Sequence, residues 1–342
     1  MVYITTEKKS NSLVNVNNYV STENILPNRG GIRFPAKSLP QISKIFSYQK
    51  NDILISNIRP YFKKIWFSDR DGVRSNDVLA FRTKNSKILL QKYLYLVLQN
   101  DKFFDYVTLT SKGTKMPRGD KNAILNFTFE IPSISIQKKL INYFFVIESK
   151  IKLNNLINDN LLELAKALFH EKFSYDDEVL LSNYFLPKRG KNLLKRNVVN
   201  GYIPVVAGGL TPAAFHNKSN TESPVITISS SGANAGYTQI WGQKVWSSDS
   251  SYIDKTVTNN IYFWYLLIKS HQKQIFDSQT GSAQPHVYPR DIGNILIPKI
   301  NEVVAKKVDK AVTPVFQKIF QNKDENKKLE NIKAVLLDKY FD

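Results

Sequence analysis

No cysteine occurs anywhere in the 342 residues, which excludes disulfides and thiolate metal sites and fits a reducing compartment. Histidine is scarce too. His170, His216, His271 and His286 have neither helical nor hairpin ligand spacing, so packing, capping or a polar contact suits them better than metal. No window approaches the ~18 apolar residues of a membrane span, and Met1 to Lys9 carries no apolar signal core. A soluble, cytoplasmic protein is the expectation. Acidic residues are outnumbered: 29 Asp and Glu face 48 Lys and Arg, a net charge of +19, while 42% of the chain is hydrophobic. Such a chain folds, and a field of that sign draws polyanions, nucleic acid foremost. An AT-rich genome also inflates lysine, but that bias does not place arginine beside glycine-rich loops.

Catalytic motifs are missing as well. An adenine methyltransferase needs an Asn-Pro-Pro-aromatic motif and a Gly-rich cofactor loop after its first strand, and the sequence has neither. Gly113 to Gly119 is followed by Asp120 rather than the Lys-Ser/Thr of a phosphate-cradling loop. The Glu-x-Lys pattern of metal-dependent nucleases matches formally at Glu7 to Lys9 and Glu148 to Lys150, but the second lies in a heptad segment, where mixed charge marks a solvated face.

What is present is a long repeat. Gly113, Pro117 and Arg118, then Ile131-Pro132, then a heptad segment through Leu168 to Phe173, return as Gly281, Pro285 and His286, then Ile297-Pro298, then a heptad segment through Leu336 to Phe341. Loop and helix pairs share a separation of 168 residues. A period this long means duplicated domains rather than a solenoid, whose units run to about 20–50 residues. The length agrees, since domains commonly take about 100–150 residues.

Each copy has the same grammar. In the first, Asp52–Ser56 and Phe127–Ile131 read as strands, Asn28–Gly31 and Asp71-Gly72 as turns, and 87–105 as a helix. In the second, Pro224–Ser229 and Asn294–Ile297 read as strands and Ile261–Lys273 as a helix. The heptad segments carry an a/d seam. In the first it is Leu140, Phe144, Ile147, Ile151, Asn154, Asn158, Leu161, Ala165 and Leu168; in the second Val308, Val312, Val315, Ile319, Asn322, Asn326, Leu329, Lys333 and Leu336. Both asparagines recur. A seam asparagine costs stability and fixes register, so the repetition favours two helices that pair with each other. Two amphipathic helices each packed on its own globule is the plainer alternative, and Ile141, Phe145, Leu153, Leu156 and Leu164 widen the stripe enough for both. Pro314 is expected in a first turn or at a kink. Helices of about 37 residues run roughly 55 Å, and joined through a globule they most simply lie antiparallel.

This layout resembles the DNA-specificity (S) subunit of type I restriction–modification systems. The resemblance covers essentially the whole chain and rests on Ile131 to Leu140, Ile151 to Leu156 and Leu161 to Phe169. In the second half it rests on Ile203 to Pro212, Ile226 to Gly232 and Trp246 to Asp249. It implies an α+β fold: two mixed α/β target-recognition domains, at 1–133 and 174–298, separated by conserved long helices at 134–173 and 299–342. These would form an antiparallel coiled coil with pseudo-two-fold symmetry. It implies no catalysis and no cofactor in this chain, which would act in DNA methylation and restriction through partners. Those are double-stranded DNA, two methyltransferase subunits using S-adenosylmethionine, and restriction/translocase subunits using ATP and Mg²⁺, with no membrane. One departure stands out: Glu178–Ser182 leads into the second domain with no counterpart before Tyr19, so the first domain is expected to be shorter at its start.

Candidate DNA contacts combine loop placement, charge and planar hydrogen-bonding groups. They are Arg29 and Arg33; Lys112, Lys115, Arg118 and Lys121; Lys188, Arg189 and Lys191; Ser229, Asn234 and Tyr237; and Gln284, His286 and Arg290. Each could instead be a solvated or structural residue, and the Gly/Pro loop itself reads first as a corner between globule and helix. Tyr61, Trp66, Trp241 and Trp246 read as core. Two rival functions use the same features: a stand-alone nuclease or methyltransferase with duplicated DNA-binding lobes, opposed by the missing motifs, and a coiled-coil scaffold with incidental charge.

Overall fold

The computed structural model describes residues 1–10, 14–40, 44–170, 177–281 and 284–341. The chain divides into two compact units, Met1–Ile151 with Lys328–Asp342, and Lys152–Lys327. Each therefore holds one globule and a stretch of both long helices.

The first unit contains β1 (Val2–Ile4), β2 (Lys8–Ser10), β3 (Tyr19–Val20), β4 (Lys44–Tyr48), β5 (Ile53–Ser56), β6 (Ile65–Phe67), β7 (Gly72–Arg74) and β8 (Val78–Thr83). Its helices are α1 (Gln91–Gln99), α2 (Asp101–Leu109), α3 (Lys121–Leu125) and the start of α4 (Ile134–His170). One sheet has the order β1-β8-β5-β6, the other β2-β4-β7-β3. Strand β5 reads Ile-Leu-Ile-Ser without polar alternation because both its faces are covered. Ile53 and Ile55 join Leu79 and Phe81 against α1 and α2, while Leu54 joins Trp66, Val78 and Ala80 against Val20 and Tyr48. Arg74 is buried and donates to the carbonyls of Thr5 and Val78; burial lowers its pKa to about 10. Phe144 of α4 is fully buried in the helical core and meets Phe341 of the C-terminal helix at 5.9 Å.

Two expectations are corrected here. The helix expected at 87–105 is two helices, broken at Asn100, whose extended backbone (ψ 149°) lets its side chain accept from Lys102 N and cap α2. Phe127–Ile131 is not a strand: no described segment pairs with it, and Phe127 and Phe129 instead pack on the helical core.

The second unit contains β9 (Glu178–Leu180), β10 (Lys188–Arg189), β11 (Ile203–Val206), β12 (Ala214–His216), β13 (Val225–Ser229), β14 (Thr238–Trp241), β15 (Trp246–Ser247), β16 (Ser250–Asp254) and β17 (Leu296–Pro298). Its helices are α5 (Ile261–Ser270), α6 (Gln272–Asp277), α7 (Pro289–Gly293) and most of α8 (Glu302–Phe341). The sheets run β10-β16-β13-β14, β12-β11-β15 and β17-β9. Here the closing strand does form, because Leu296–Pro298 pairs antiparallel with Glu178–Leu180. Both units contain a short parallel pairing: Tyr19–Val20 with Val73–Arg74, and Val205–Val206 with Trp246–Ser247. Helix α5 ends at Ser270, not Lys273, and α6 follows.

Helix α5 begins where Asn260 adopts a left-handed conformation and supplies no side-chain cap. Asp309 of α8 takes that role: its Oδ1 accepts from Tyr262 N at 2.9 Å and Phe263 N at 3.0 Å. Burial raises the Asp309 pKa, and those two hydrogen bonds oppose the rise. Pro314 lies in the interior of α8 rather than in its first turn. The helix continues because Val308, Val312, Val315, Phe316 and Ile319 are anchored in the core on both sides of it. Among the described residues no helix is long and apolar enough to cross a membrane.

Candidate nucleic-acid interface

Each unit builds the same loop from the same hydrogen bonds. In the first, Lys112 and Arg118 exchange backbone bonds at 2.9 Å in both directions; in the second, Thr280 and His286 do so at 2.9 and 2.8 Å. Gly113 (φ 93°) and Gly281 (φ 94°) open these loops in a conformation that disfavours any side chain. Both loops are tied to the end of a central strand. Arg59 N donates to Pro117 O at 2.8 Å and Gly119 N to Asn57 O at 3.0 Å; Gly232 N donates to Pro285 O and Val287 N to Ser230 O, each at 3.0 Å. A third tie reaches an aspartate: Asn57 N donates to Asp77 O at 2.7 Å, and Ser230 N to Asp249 O at 3.2 Å. A frame repeated bond for bond with different side chains holds loop shape constant while chemistry varies.

Arg59 and Gly232 are equivalent in this frame, and both are left-handed, at φ 49° and 80°. Arginine there costs of order 1 kcal/mol or more in backbone strain. The short 3₁₀ turn that follows exposes Tyr61 and Phe62, with ring centroids 4.8 Å apart. Tyr61 is thus on the surface rather than in the core, whereas Trp66 is buried and Trp241 and Trp246 are half-buried.

Among the candidate contacts, Lys115 and Lys121 point into solvent beside the first loop. Lys112 is 81% exposed yet pairs with Asp120 at 2.6 Å. Asp120 also caps α3 through Asn122 N and Ala123 N. The Lys112 ammonium first, then those two N–H groups, hold the Asp120 carboxyl below its usual range. Arg118 meets Asp77 through two parallel contacts, Nε to Oδ1 and Nη2 to Oδ2, both 3.3 Å. Arg33 is exposed. Arg29 is engaged elsewhere: Nε donates to Gln99 O, Nη2 pairs with Asp101, and the guanidinium lies 5.8 Å over Phe104. It pins the Asn28-Arg29 turn to α2.

In the second unit, Arg189 Nη2 pairs with Asp249 Oδ1 at 2.8 Å and its guanidinium lies 6.0 Å from the Tyr288 ring. That ring stacks on His286 at 5.9 Å and 13°. Ser231 Oγ donates to the second Asp249 oxygen. Arg189, Gly190, Asn192, Ser248 and Asp249 line a polar pocket of about 310 Å³. Lys191 and Gln284 are exposed, as is Arg290 on α7, and Lys188 donates to Thr256 Oγ1 at 2.9 Å. Three other candidates serve the scaffold. Ser229 is buried in β13, Asn234 donates to Gly208 O at 3.2 Å, and Tyr237 lies 4.3 Å beneath Lys269. Residues 282–283 of this loop lie outside the described residues. Asp77 and Asp249 were not among the candidates, although each directly precedes a strand of a central sheet, a position visible as Ser75 to Val78 and Ser247 to Ser250.

The helices meet antiparallel in both units. In the second, Asn154 Nδ2 donates to Asn326 Oδ1 at 2.8 Å and Asn322 Nδ2 to Asn158 Oδ1 at 2.9 Å; Asn326 donates to Asn155 and Asn154 also to Glu325, each at 2.8 Å. In the first, Lys333 pairs with Glu148. Leu140 and Phe144 are buried, Ile147, Ile151, Leu161 and Leu329 half-buried. At the outer ends the buried positions are Phe169 and Leu337 rather than Leu168 and Leu336, both half-buried. A one-residue drift of this kind follows from a 3.6-residue helix against a 3.5-residue seam. Among the described residues no cluster of His, Asp or Glu could hold a metal.

A family model for the type I restriction modification DNA specificity domain matches residues 3–163. The HindI specificity subunit of Haemophilus influenzae, a type I restriction enzyme component, is 30% identical over 150 residues, 42% of this chain and 32% of that protein. A putative type I specificity subunit of Mycoplasma genitalium is 28% identical over 213 residues, 60% of this chain and 56% of that protein. The matches thus span less than two thirds of these relatives' own lengths. The crystal structure of a type I restriction–modification S subunit from M. genitalium shares the fold, with a TM-score of 0.62 at 20% identity over 100% of this chain and 96% of that one.

Proposed function

We propose that this chain, whose residues 3–163 match the type I restriction modification DNA specificity domain, is the non-catalytic subunit that chooses the DNA sequence for such a complex. The observation that carries this reading is the loop frame built twice with unlike side chains: one copy carries Lys115 and Arg118, with Lys121 opening α3 after it, the other Gln284 and His286, with Arg290 following on α7 and Arg189 on β10. Each target-recognition domain, 1–133 and 174–298, reads one half of a bipartite site. Exposed cations contact phosphates and set affinity, while Arg118, Arg189 and the Gln284 amide read base edges. The long helices hold two methyltransferase subunits and, through them, restriction and translocase subunits. S-adenosylmethionine, ATP and Mg²⁺ belong to those partners. The test is methylome sequencing of a host carrying this chain with a methyltransferase partner, repeated with residues 1–133 exchanged for those of a relative. Two short unlike motifs around an unread spacer are expected, with one half altered by the exchange. A single uninterrupted motif, or methylation or cleavage by the purified chain alone, overturns the proposal.

A further inference from the structure

Asp77 and Asp249 occupy one position in the repeated frame, each accepting through its backbone carbonyl from the residue that follows the central strand, Asn57 or Ser230. Each also holds an arginine, and the two arginines come from different elements. Arg118 reaches Asp77 from the Lys112–Arg118 loop; Arg189 reaches Asp249 from β10. Convergence of two unrelated arginines on one duplicated carboxylate is not inherited from the repeat.

Stability does not explain the pairs. Arg118 and Asp77 are 57% and 35% exposed, Arg189 and Asp249 41% and 34%, and ion pairs this open contribute little to folding. Geometry offers a different role. Asp77 engages the Nε and Nη2 side of Arg118, which fixes the guanidinium plane and leaves Nη1, with the second N–H of Nη2, able to donate at the outer end. That end is the fork that binds O6 and N7 of guanine in the major groove. Arg189 is held by Asp249 on one side and by the Tyr288 face on the other, and Ser231 fixes the second carboxylate oxygen. A guanidinium oriented beforehand loses less freedom on binding.

The geometry points to Asp77 and Asp249 as positioning residues, each aiming one arginine, Arg118 or Arg189, at a guanine in its own half of the DNA target. This rests on the half-site reading above and assigns a base to it.

The experiment selects duplexes from a random pool with the full chain and its Asp77→Asn, Asp249→Asn and Arg118→Lys variants, alongside thermal unfolding. Asp77→Asn keeps size but removes the charge that orients Arg118; it should lower guanine preference at one position of one half about tenfold, within the range of a lost bidentate contact. The other half, the melting temperature and low-salt affinity for unselected DNA should not fall. Asp249→Asn should do the same in the opposite half, Arg118→Lys should reproduce the Asp77→Asn profile, and Asp77→Glu should restore part of the preference. A wild-type chain that selects no two-part motif counts against the half-site reading itself. A two-part motif lacking guanine in either half, variants with unchanged base preference, or a uniform loss of affinity across sequences would overturn the positioning role alone.

Discussion

Asn322 donates its side-chain amide to Asn158 at 2.9 Å, with both residues buried between α4 and α8. A neutral hydrogen bond contributes only about 1 kcal/mol net, but an orphaned buried amide costs about 1–3 kcal/mol. Asn158→Leu should therefore destabilise the chain by about 1–3 kcal/mol, and Asn322→Leu similarly. The double leucine variant should cost less than the sum and approach neutrality. Chemical denaturation of the four proteins gives the coupling; simple additivity would show that the two amides do not act as a pair.

Asp309 links α8 to the start of α5 through two backbone N–H groups. Asp309→Ala should cost about 0.5–2 kcal/mol, the usual range for a lost cap. Asp309→Asn keeps an acceptor and should cost little at neutral pH. The pH dependence separates them. Burial raises the folded pKa above its ordinary 3.8, so the folded state binds the proton more tightly. The stability this contributes is fully present below 3.8 and is lost as pH rises through the raised value. Relative to Asp309→Asn, the wild type should thus lose stability across that interval and then level off; a gain with rising pH contradicts the assignment.

Gln137 has no exposed surface. It accepts from Leu90 N at 2.9 Å and donates to Ile88 O and Pro132 O at 2.8 and 2.9 Å, joining the start of α4 to the start of α1. Gln137→Leu leaves three backbone groups without their partner and should cost about 2–4 kcal/mol. Gln137→Glu should be milder at low pH, where a protonated carboxyl can still donate once. Thermal melts at two pH values measure both.

Patterns that recur locally were legible in advance, and those set by distant partners were not. The seam asparagines could be placed because heptad spacing alone puts Asn154 and Asn326 on facing stripes. The Gly113 and Gly281 loops stood out because glycine and proline recur there 168 residues apart, Gly113 with Pro117 and Gly281 with Pro285. Phe127–Ile131 and Leu296–Pro298 look alike in sequence, yet only the second is a strand, since only it has Glu178–Leu180 to bond with. Asp77 and Asp249 escaped notice because their side chains meet arginines 41 and 60 residues away. Arg29 was misleading for the same reason: charge beside a glycine turn suggests a free cation, and Asp101, 72 residues on, takes it.

Lysines around the first loop should govern affinity rather than sequence choice, though not equally. Lys115 and Lys121 are exposed, while Lys112 already neutralises Asp120. Each lysine on a phosphate displaces counterions and contributes about 0.9 to the slope of log affinity against log salt. Replacing Lys115 and Lys121 with glutamine should lower that slope by about 1.8 and weaken binding to all duplexes alike. Adding Lys112→Gln should lower it further by well under 0.9, because the same change frees the Asp120 carboxylate and the native pair must break before Lys112 can reach a phosphate. Gln284→Ala should leave the slope nearly intact and change base preference in the second half alone. Fluorescence anisotropy across a salt series, run with matched and scrambled duplexes, tests all three variants. Equal steps for the three lysines would show that the Lys112–Asp120 pair opens freely, and a slope loss at Gln284 would move that residue from base reading to phosphate contact.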